Sequence, residues 1–287
     1  MSLHLRHIGK HVLWTPPDHA TDRPILGVVV GTHSVLAVDA GNSSAHAVLF
    51  QEALLKSGIA KPDYVALTHW HWDHVFGAEA FEGLLIAQQR TTQMLEEMSR
   101  WKWSDAAIDA RVEEGTEIEF SRDMIKAELT PVQRAKLKIR LPDITFTTHL
   151  EIDLGDLNCQ LIHMGGDHSN DSTIIYIPED RVAFLGDSTS GDPTDTPWYY
   201  TTRRINKLMD DLLALDAKYY FHSHIPEPIT REGMEAMSAK FRKIGDLVVR
   251  TEGDKTAAHS ELPQVLGRKP TQDDLELVDA FIAGLTK

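Results

Sequence analysis

Residues 68–74 read THWHWDH, which sets His69, His71, Asp73 and His74 within six positions. Imidazole nitrogen and carboxylate oxygen are the donors zinc takes when sulfur is not offered. Side chains of an extended segment repeat every two residues, so His69 and His71 share one side and can grip one ion. Asp73 and His74 are neighbours, so the chain must turn there if both are to face inward. A second ion beside the first would use both. A solvated polar loop is the plain alternative, and later residues weigh against it. GGDHSNDS (165–172) offers His168 on a glycine-led loop, FLGDS (184–188) ends an apolar run with Asp187, and YYFHSHIPEP (219–228) ends another with His224. His163 competes with His168, and His222 with His224. Each stretch follows a strand-like run, so all can converge on one sheet edge, where ligand-binding loops gather.

The elements that must position these residues alternate. HVLWT (11–15), ILGVVV (25–30) and SVLAVDAG (34–41) are Val-, Ile- and Leu-rich runs cut by Gly and Pro, the mark of strands. GTH between the last two predicts a tight hairpin. SSAHAVLFQEALLKSG predicts a helix capped by Ser43 or Ser44 and stopped by Gly58. YVALT (64–68) is a short strand delivering the histidine cluster. Strand signals resume in ITFTTHLEIDLG, LNCQLIHM, STIIYIP and RVAFLGD, and helices are predicted at about 203–215, 231–248 and 271–285. The alternation predicts an α/β layered core. From about 88 to 140, Met94, Leu95, Met98 and Trp101 follow helical spacing, and Pro131 starts or breaks a further helix. This region reads as a helical insertion, packed on the body or roofing the metal site. Its Lys136, Lys138 and Arg140 read as a solvated face. With no repeat or linker, one domain over 1–287 is expected.

Composition narrows the function classes. The chain has 287 residues, 42% hydrophobic and 25% charged, an ordinary globular balance. A formal net charge of −14 disfavours a general nucleic-acid binder, which needs clustered Lys and Arg. No apolar run is long enough for a membrane span, and the polar start MSLHLRHIGKH does not read as a secretory signal. One cysteine, Cys159, rules out an intramolecular disulfide and reads as a small buried hydrophobe. A cytoplasmic protein acting on a small molecule, without nucleic-acid or membrane partners, is the expectation; oligomeric state is not readable. No nucleophile elbow, GxxxxGK[ST] or GxGxxG occurs.

HWHWDH matches the HxHxDH signature of the metallo-β-lactamase superfamily. The order around it is similar too: VDAG (38–41) upstream, Gly77 after the signature, the loop at 165–172, the strand ending in Gly186-Asp187, and a late histidine before a Pro-containing turn. The resemblance covers the chain apart from the insertion. It implies an αββα sandwich with the site at one edge of two sheets. It implies that His69, His71 and His168 hold a first metal ion, that Asp73, His74 and His224 hold a second, and that Asp187 bridges them. Asp39 would orient the ligand loop without binding metal. The Ser-His-Ile-Pro context resembles the family's late-histidine turn and favours His224; His222 would then steady a ligand. Two ions, zinc first and iron or manganese as alternatives, would share a bridging hydroxide that attacks an ester, lactone or similar carbonyl. Asp73 would hold that hydroxide and accept or relay its proton.

The resemblance leaves the subfamily open. Lactamases with a Cys ligand carry it where Asp187 stands, and the tyrosine of acyl-homoserine lactonases is replaced here by Ser190. Phosphodiesterases and iron-dependent dioxygenases or oxidoreductases of the same fold are the alternatives. Trp198, Tyr199, Tyr200 and Arg203 read as a substrate wall or as a packed loop opening the next helix. Trp70 and Trp72, in extended chain, point away from the first metal and so stiffen the loop; the other reading puts one at the pocket mouth. His4, His7, His11, His19, His33, His46, His149 and His259 have no partner pattern and read as surface or core residues.

Overall fold

The computed structural model describes residues 3–194 and 197–287. Seven strands lie side by side in chain order: β1 (Arg6–Ile8), β2 (Val12–Thr15), β3 (Leu26–Val30), β4 (Val35–Val38), β5 (Tyr64–Ala66), β6 (Leu84–Gln88) and β7 (Ile144–Phe146). A second sheet contains β8 (His149–Asp153), β9 (Asn158–His163), β10 (Thr173–Ile177), β11 (Val182–Gly186), β12 (Tyr219–His222) and β13 (Ile229–Thr230), also in sequential order. The hairpin between β3 and β4 turns through residues 31–34, closed by Gly31 N donating to Ser34 O at 3.0 Å.

Alternation along each strand explains why the sheets stack. In β4, Leu36 and Val38 face the second sheet while Val35 and Ala37 face outward into a separate apolar layer. In β10, Ile175 and Ile177 face the first sheet while Ile174 and Tyr176 face outward. Both faces are buried, which is why these strands read as continuous apolar runs. The inter-sheet core is closed by Phe184 and Phe221, stacked at 4.8 Å, with Cys159 wholly buried in the same layer.

Helices cover the two outer faces and complete an αββα arrangement. α1 (Ser44–Lys56) starts at Ser43, whose Oγ accepts from His46 N at 3.0 Å, and packs Ala47, Phe50 and Leu54 on the first sheet. One turn of helix, α2 (Trp72–Val75), follows β5. α3 (Gln89–Met98), α4 (Asp105–Glu113), α5 (Glu119–Glu128) and α6 (Pro131–Arg134) make up the insertion between the parallel strands β6 and β7. Pro131 opens α6 inside a Thr130–Gln133 capping box. Lys136 and Lys138 are exposed as expected, but Arg140 is half-buried: it donates to Phe81 O and Gly83 O, both at 2.8 Å, and ties the end of the insertion to the residues before β6. α7 (Thr202–Ala214), α8 (Arg231–Arg250), α9 (Lys255–Leu266) and α10 (Gln272–Ala283) pack on the second sheet.

Sequence reasoning did not find β1, β6, β13 or α9. Pro263 within α9 broke the helical pattern, although Asp254 at its start and Gly267 in the left-handed conformation at its end were readable signals. None of the described helices is long and apolar enough to cross a membrane.

Candidate metal centre

The parallel pairings of β4 with β5 and β11 with β12 bring four carboxyl strand ends to one rim. The loops leaving them carry Asp39, the His69–His74 cluster, Asp187 and His224, and the loop entering β10 carries His168. Asp39 adopts a left-handed backbone (φ 61°) that turns its carboxylate under the cluster. It accepts from Thr68 N at 2.8 Å and from Thr68 Oγ1 at 2.9 Å, and lies 2.8 Å from His74 Nδ1. With His74 donating from Nδ1, its Nε2 lone pair points away from Asp39, toward the ligand side.

The chain stays extended only as far as His71. α2 then reverses it, with His74 N donating to His71 O at 3.0 Å. This turn lets Asp73 and His74 face the centre together. His168 sits after Gly165 and Gly166, both at positive φ, where a side chain would strain the backbone. Its loop is fixed by buried Asp171, which accepts from Thr91 Oγ1 at 2.8 Å and from Ser169 Oγ. His163 turns away and lies 2.8 Å from Asn170 O. Asp187 follows Gly186, whose positive φ and close approach to Thr68 leave no room for a Cβ.

Two donor groups result, His69–His71–His168 and Asp73–His74–Asp187–His224, each with its ligand atoms within 4.8 Å of one another. Asp187 Oδ2 reaches both: it lies 3.7 Å from His168 Nε2, 3.6 Å from His74 Nε2 and 3.3 Å from His224 Nε2. His224 Nε2 is 3.2 Å from Asp73 Oδ2, and its Nδ1 is 3.3 Å from Asp22 Oδ1. His222 stays outside both groups.

The electrostatics suit cations. Burial, with the neighbouring imidazoles, holds His69 well below the usual histidine range and pushes His71 down to about 3; burial also lowers His168. All three are therefore neutral donors near pH 7. Burial opposes charge on His74 and His224, but Asp73 and Asp187 outweigh it and raise both rings. Those rings in turn outweigh burial at Asp187 and hold it well below the carboxylate range. His69 Nε2, His74 Nε2 and Asp187 Oδ1 are buried without a hydrogen-bond partner. Orphaned buried donors this close together, with carboxylates among them, fit a pair of divalent ions, which would displace the ring protons.

A cavity of about 380 Å³ opens over the centre. Trp70 and Trp72 both line it. Both readings hold in part: Trp72 is buried in the apolar layer against Phe76 while touching the cavity, and Trp70 stands edge-on to His71 at 4.6 Å. The insertion lines the cavity as well, through Met98, Trp101, Glu117, Ile118 and Phe120. It is a wall of the pocket as well as packing. Arg111 sets this wall: its guanidinium lies 4.7 Å from the Trp101 ring, and its carbonyl accepts from Thr116 N and Glu117 N.

The sequence-predicted substrate residues lie elsewhere, and none of the four lines the cavity. Asp192 pairs with Tyr199, which folds the segment back on itself. Tyr200 then packs on Phe241 and Phe281 and donates to Thr189 O at 2.9 Å. Tyr199 donates to Asp192 Oδ2 at 3.0 Å. Trp198 is 40% exposed and stands against Tyr200, and Arg203 is exposed on α7. Conversely, His19 and Asp22 line the cavity and were not singled out. Asp22, at φ 56°, touches His224, a member of the second donor group some two hundred residues away, a relation that leaves no local pattern.

Comparison with known proteins agrees with this fold. By overall structure the chain is similar to a metallo-β-lactamase from Pontibacter korlensis (TM-score 0.57, 16% identity, covering 84% of this chain and 99% of that one). It is similar to a metallo-β-lactamase family protein from Thermus thermophilus (TM-score 0.57, 15% identity, covering 94% and 91%). It is also similar to the stereoselective inverting sec-alkylsulfatase Pisa1 from Pseudomonas sp. (TM-score 0.66, 11% identity, covering 98% of this chain), of which it spans only 49%. These identities show the fold alone. No curated protein matches the chain by sequence. Residues 24–224, from just before β3 to the last histidine of the two donor groups, match the family described as Metallo-beta-lactamase superfamily, and the chain belongs to it.

Proposed function

We propose that this metallohydrolase cleaves a neutral, largely apolar ester or lactone at a pair of zinc ions. The observation that carries the reading is Asp187 Oδ2, within 3.7 Å of donors in both groups, so one carboxylate is placed to serve two ions. His69, His71 and His168 would hold one ion and Asp73, His74 and His224 the other. Bound as a pair, the ions would supply a water acidified toward neutrality and a Lewis acid for the substrate oxygen. Asp73, kept ionised against burial by His74 and His224, would orient that water and take its proton at a carboxylate oxygen.

Cavity lining supports the substrate class. Trp70, Trp101, Met98, Ile118 and Phe120 offer an apolar surface, and among the described lining residues none is Lys or Arg. Glu117 and Asp22 are the acidic groups outside the ligand set. Burial raises both carboxyls, Asp22 to about 7, and no Lys or Arg among the described lining residues could pair with a carboxylate or phosphate on the substrate. A small-molecule substrate and a cytoplasmic setting, consistent with the single buried Cys159, belong to the same reading.

The test is a panel of neutral and anionic esters, lactones, thioesters, β-lactams, phosphodiesters and sulfate esters, run on zinc-loaded and iron-loaded protein with metal content measured. Neutral esters or lactones should turn over best, with two ions per chain. Exclusive turnover of anionic esters would overturn the substrate class, and oxygen-dependent turnover with iron would overturn the hydrolase reading.

A further inference from the structure

We infer that Ser190 presents its hydroxyl proton to an oxygen of the substrate, and that His222 sets this orientation. The inference rests on the ester or lactone reading and assigns a substrate-contacting residue to it. Ser190 and His222 both line the cavity beside the metal ligands. The backbone N–H of His224 donates to His222 Nδ1 at 3.2 Å. A ring nitrogen that accepts a hydrogen bond carries no proton, so the neutral imidazole bears its hydrogen on Nε2. Asp187 Oδ1, 3.9 Å from His222 Nδ1, is too far to claim a proton there.

His222 Nε2 lies 2.9 Å from Ser190 Oγ. With the proton on Nε2, the ring donates and the serine oxygen accepts. The serine's own hydrogen must then point elsewhere, and among the described residues Ser190 Oγ meets no other acceptor. Ser190 is itself held in place, its N–H donating to Asp187 O at 2.8 Å. The result is an aimed O–H donor in the cavity wall, three residues from the shared carboxylate. A carbonyl oxygen, or the alkoxide leaving as the ester opens, is the acceptor this donor fits. Charge gathers on either oxygen as the bond breaks, so the hydrogen bond strengthens toward the transition state.

The experiment compares Ser190→Ala, Ser190→Thr, His222→Phe and the double variant S190A/H222F in zinc-loaded protein. Ser190→Ala should lower kcat for a neutral aryl ester about ten- to a hundredfold, with zinc content and Tm unchanged. Ser190→Thr keeps the hydroxyl and should recover most of that loss. His222→Phe should lower kcat less than Ser190→Ala, and the double variant should be no worse than Ser190→Ala alone. Full kcat in Ser190→Ala with zinc retained would overturn the inference, and additive losses in the double variant would overturn the part assigned to His222. If no ester or lactone turns over, the hydrolase reading fails and binding decides separately. Phenylacetamide, followed by tryptophan fluorescence, should bind wild type about three- to tenfold tighter than Ser190→Ala, and equal affinity would overturn the hydrogen bond.

Discussion

Asp39→Asn isolates how one buried carboxylate governs the second metal site. Asparagine keeps the size and tolerates the left-handed backbone at φ 61°. It replaces an acceptor-only group by one acceptor and one donor. If the amide nitrogen faces His74, Nδ1 must accept, and the ring proton moves to Nε2. That atom is the ligand, 3.0 Å from Asp73 Oδ2. If the amide nitrogen faces Thr68 instead, a donor meets the buried Thr68 N–H. Only the second orientation leaves buried donors facing each other, so the first is adopted, and stability without metal falls by less than the about 1–3 kcal/mol of an unpaired buried donor while the misplaced proton acts against metal binding. Loss of the partner that orients a ligating histidine weakens metal binding by about 10–100-fold. Asp39→Ala strands Thr68 N and weakens the pairing of His74 Nδ1, while Thr68 Oγ1 keeps His69 Nδ1 at 3.1 Å; with the added left-handed strain it should lose about 3 kcal/mol or more. Urea unfolding without metal reads the first quantity, and competition with a chromophoric zinc chelator reads the second. An Asn variant that binds two zinc ions with wild-type affinity would refute the claim that Asp39 sets the proton on His74.

Three further outcomes are expected. Asp187→Ala should lose the paired ions and the hydrolytic activity together; one retained ion with full activity, seen by metal analysis beside kinetics, would remove the bridging role. Burial pushes His46 down to about 3, so the unfolded chain binds a proton there that the folded one refuses. Stability should therefore fall as pH drops from about 6.5 toward 3, by about 1.4 kcal/mol per unit from this group, and His46→Leu should shed that part of the slope in urea melts. Burial also raises the Cys159 thiol far above its usual range, so a thiol reagent should label it only after unfolding; fast labelling of the native, metal-loaded protein would contradict its place between the sheets.

Much of the centre was legible before folding was considered. Donor type is a property of each residue, and His69, His71, Asp73, His74, His168, Asp187 and His224 each sit on a loop or turn that follows an apolar run. That alternation is local, which is why β3, β4, β10 and β11 appear close to where they were read. Side-chain direction at turns is not local. Trp70 and Trp72 both reach the cavity, Trp72 while buried against Phe76, and the Asp192–Tyr199 pairing carried Tyr199 and Tyr200 away from it. The pocket wall joins Asp22, Trp101, Glu117 and Ser190, drawn from four loops with no shared spacing. The sequence by itself determined which residues can bind metal and which strands carry them, because both follow from side-chain chemistry and a two-residue period. Only the tertiary structure decided what surrounds them, because parallel strand pairing and the packing of the insertion bring together residues that have no pattern along the chain.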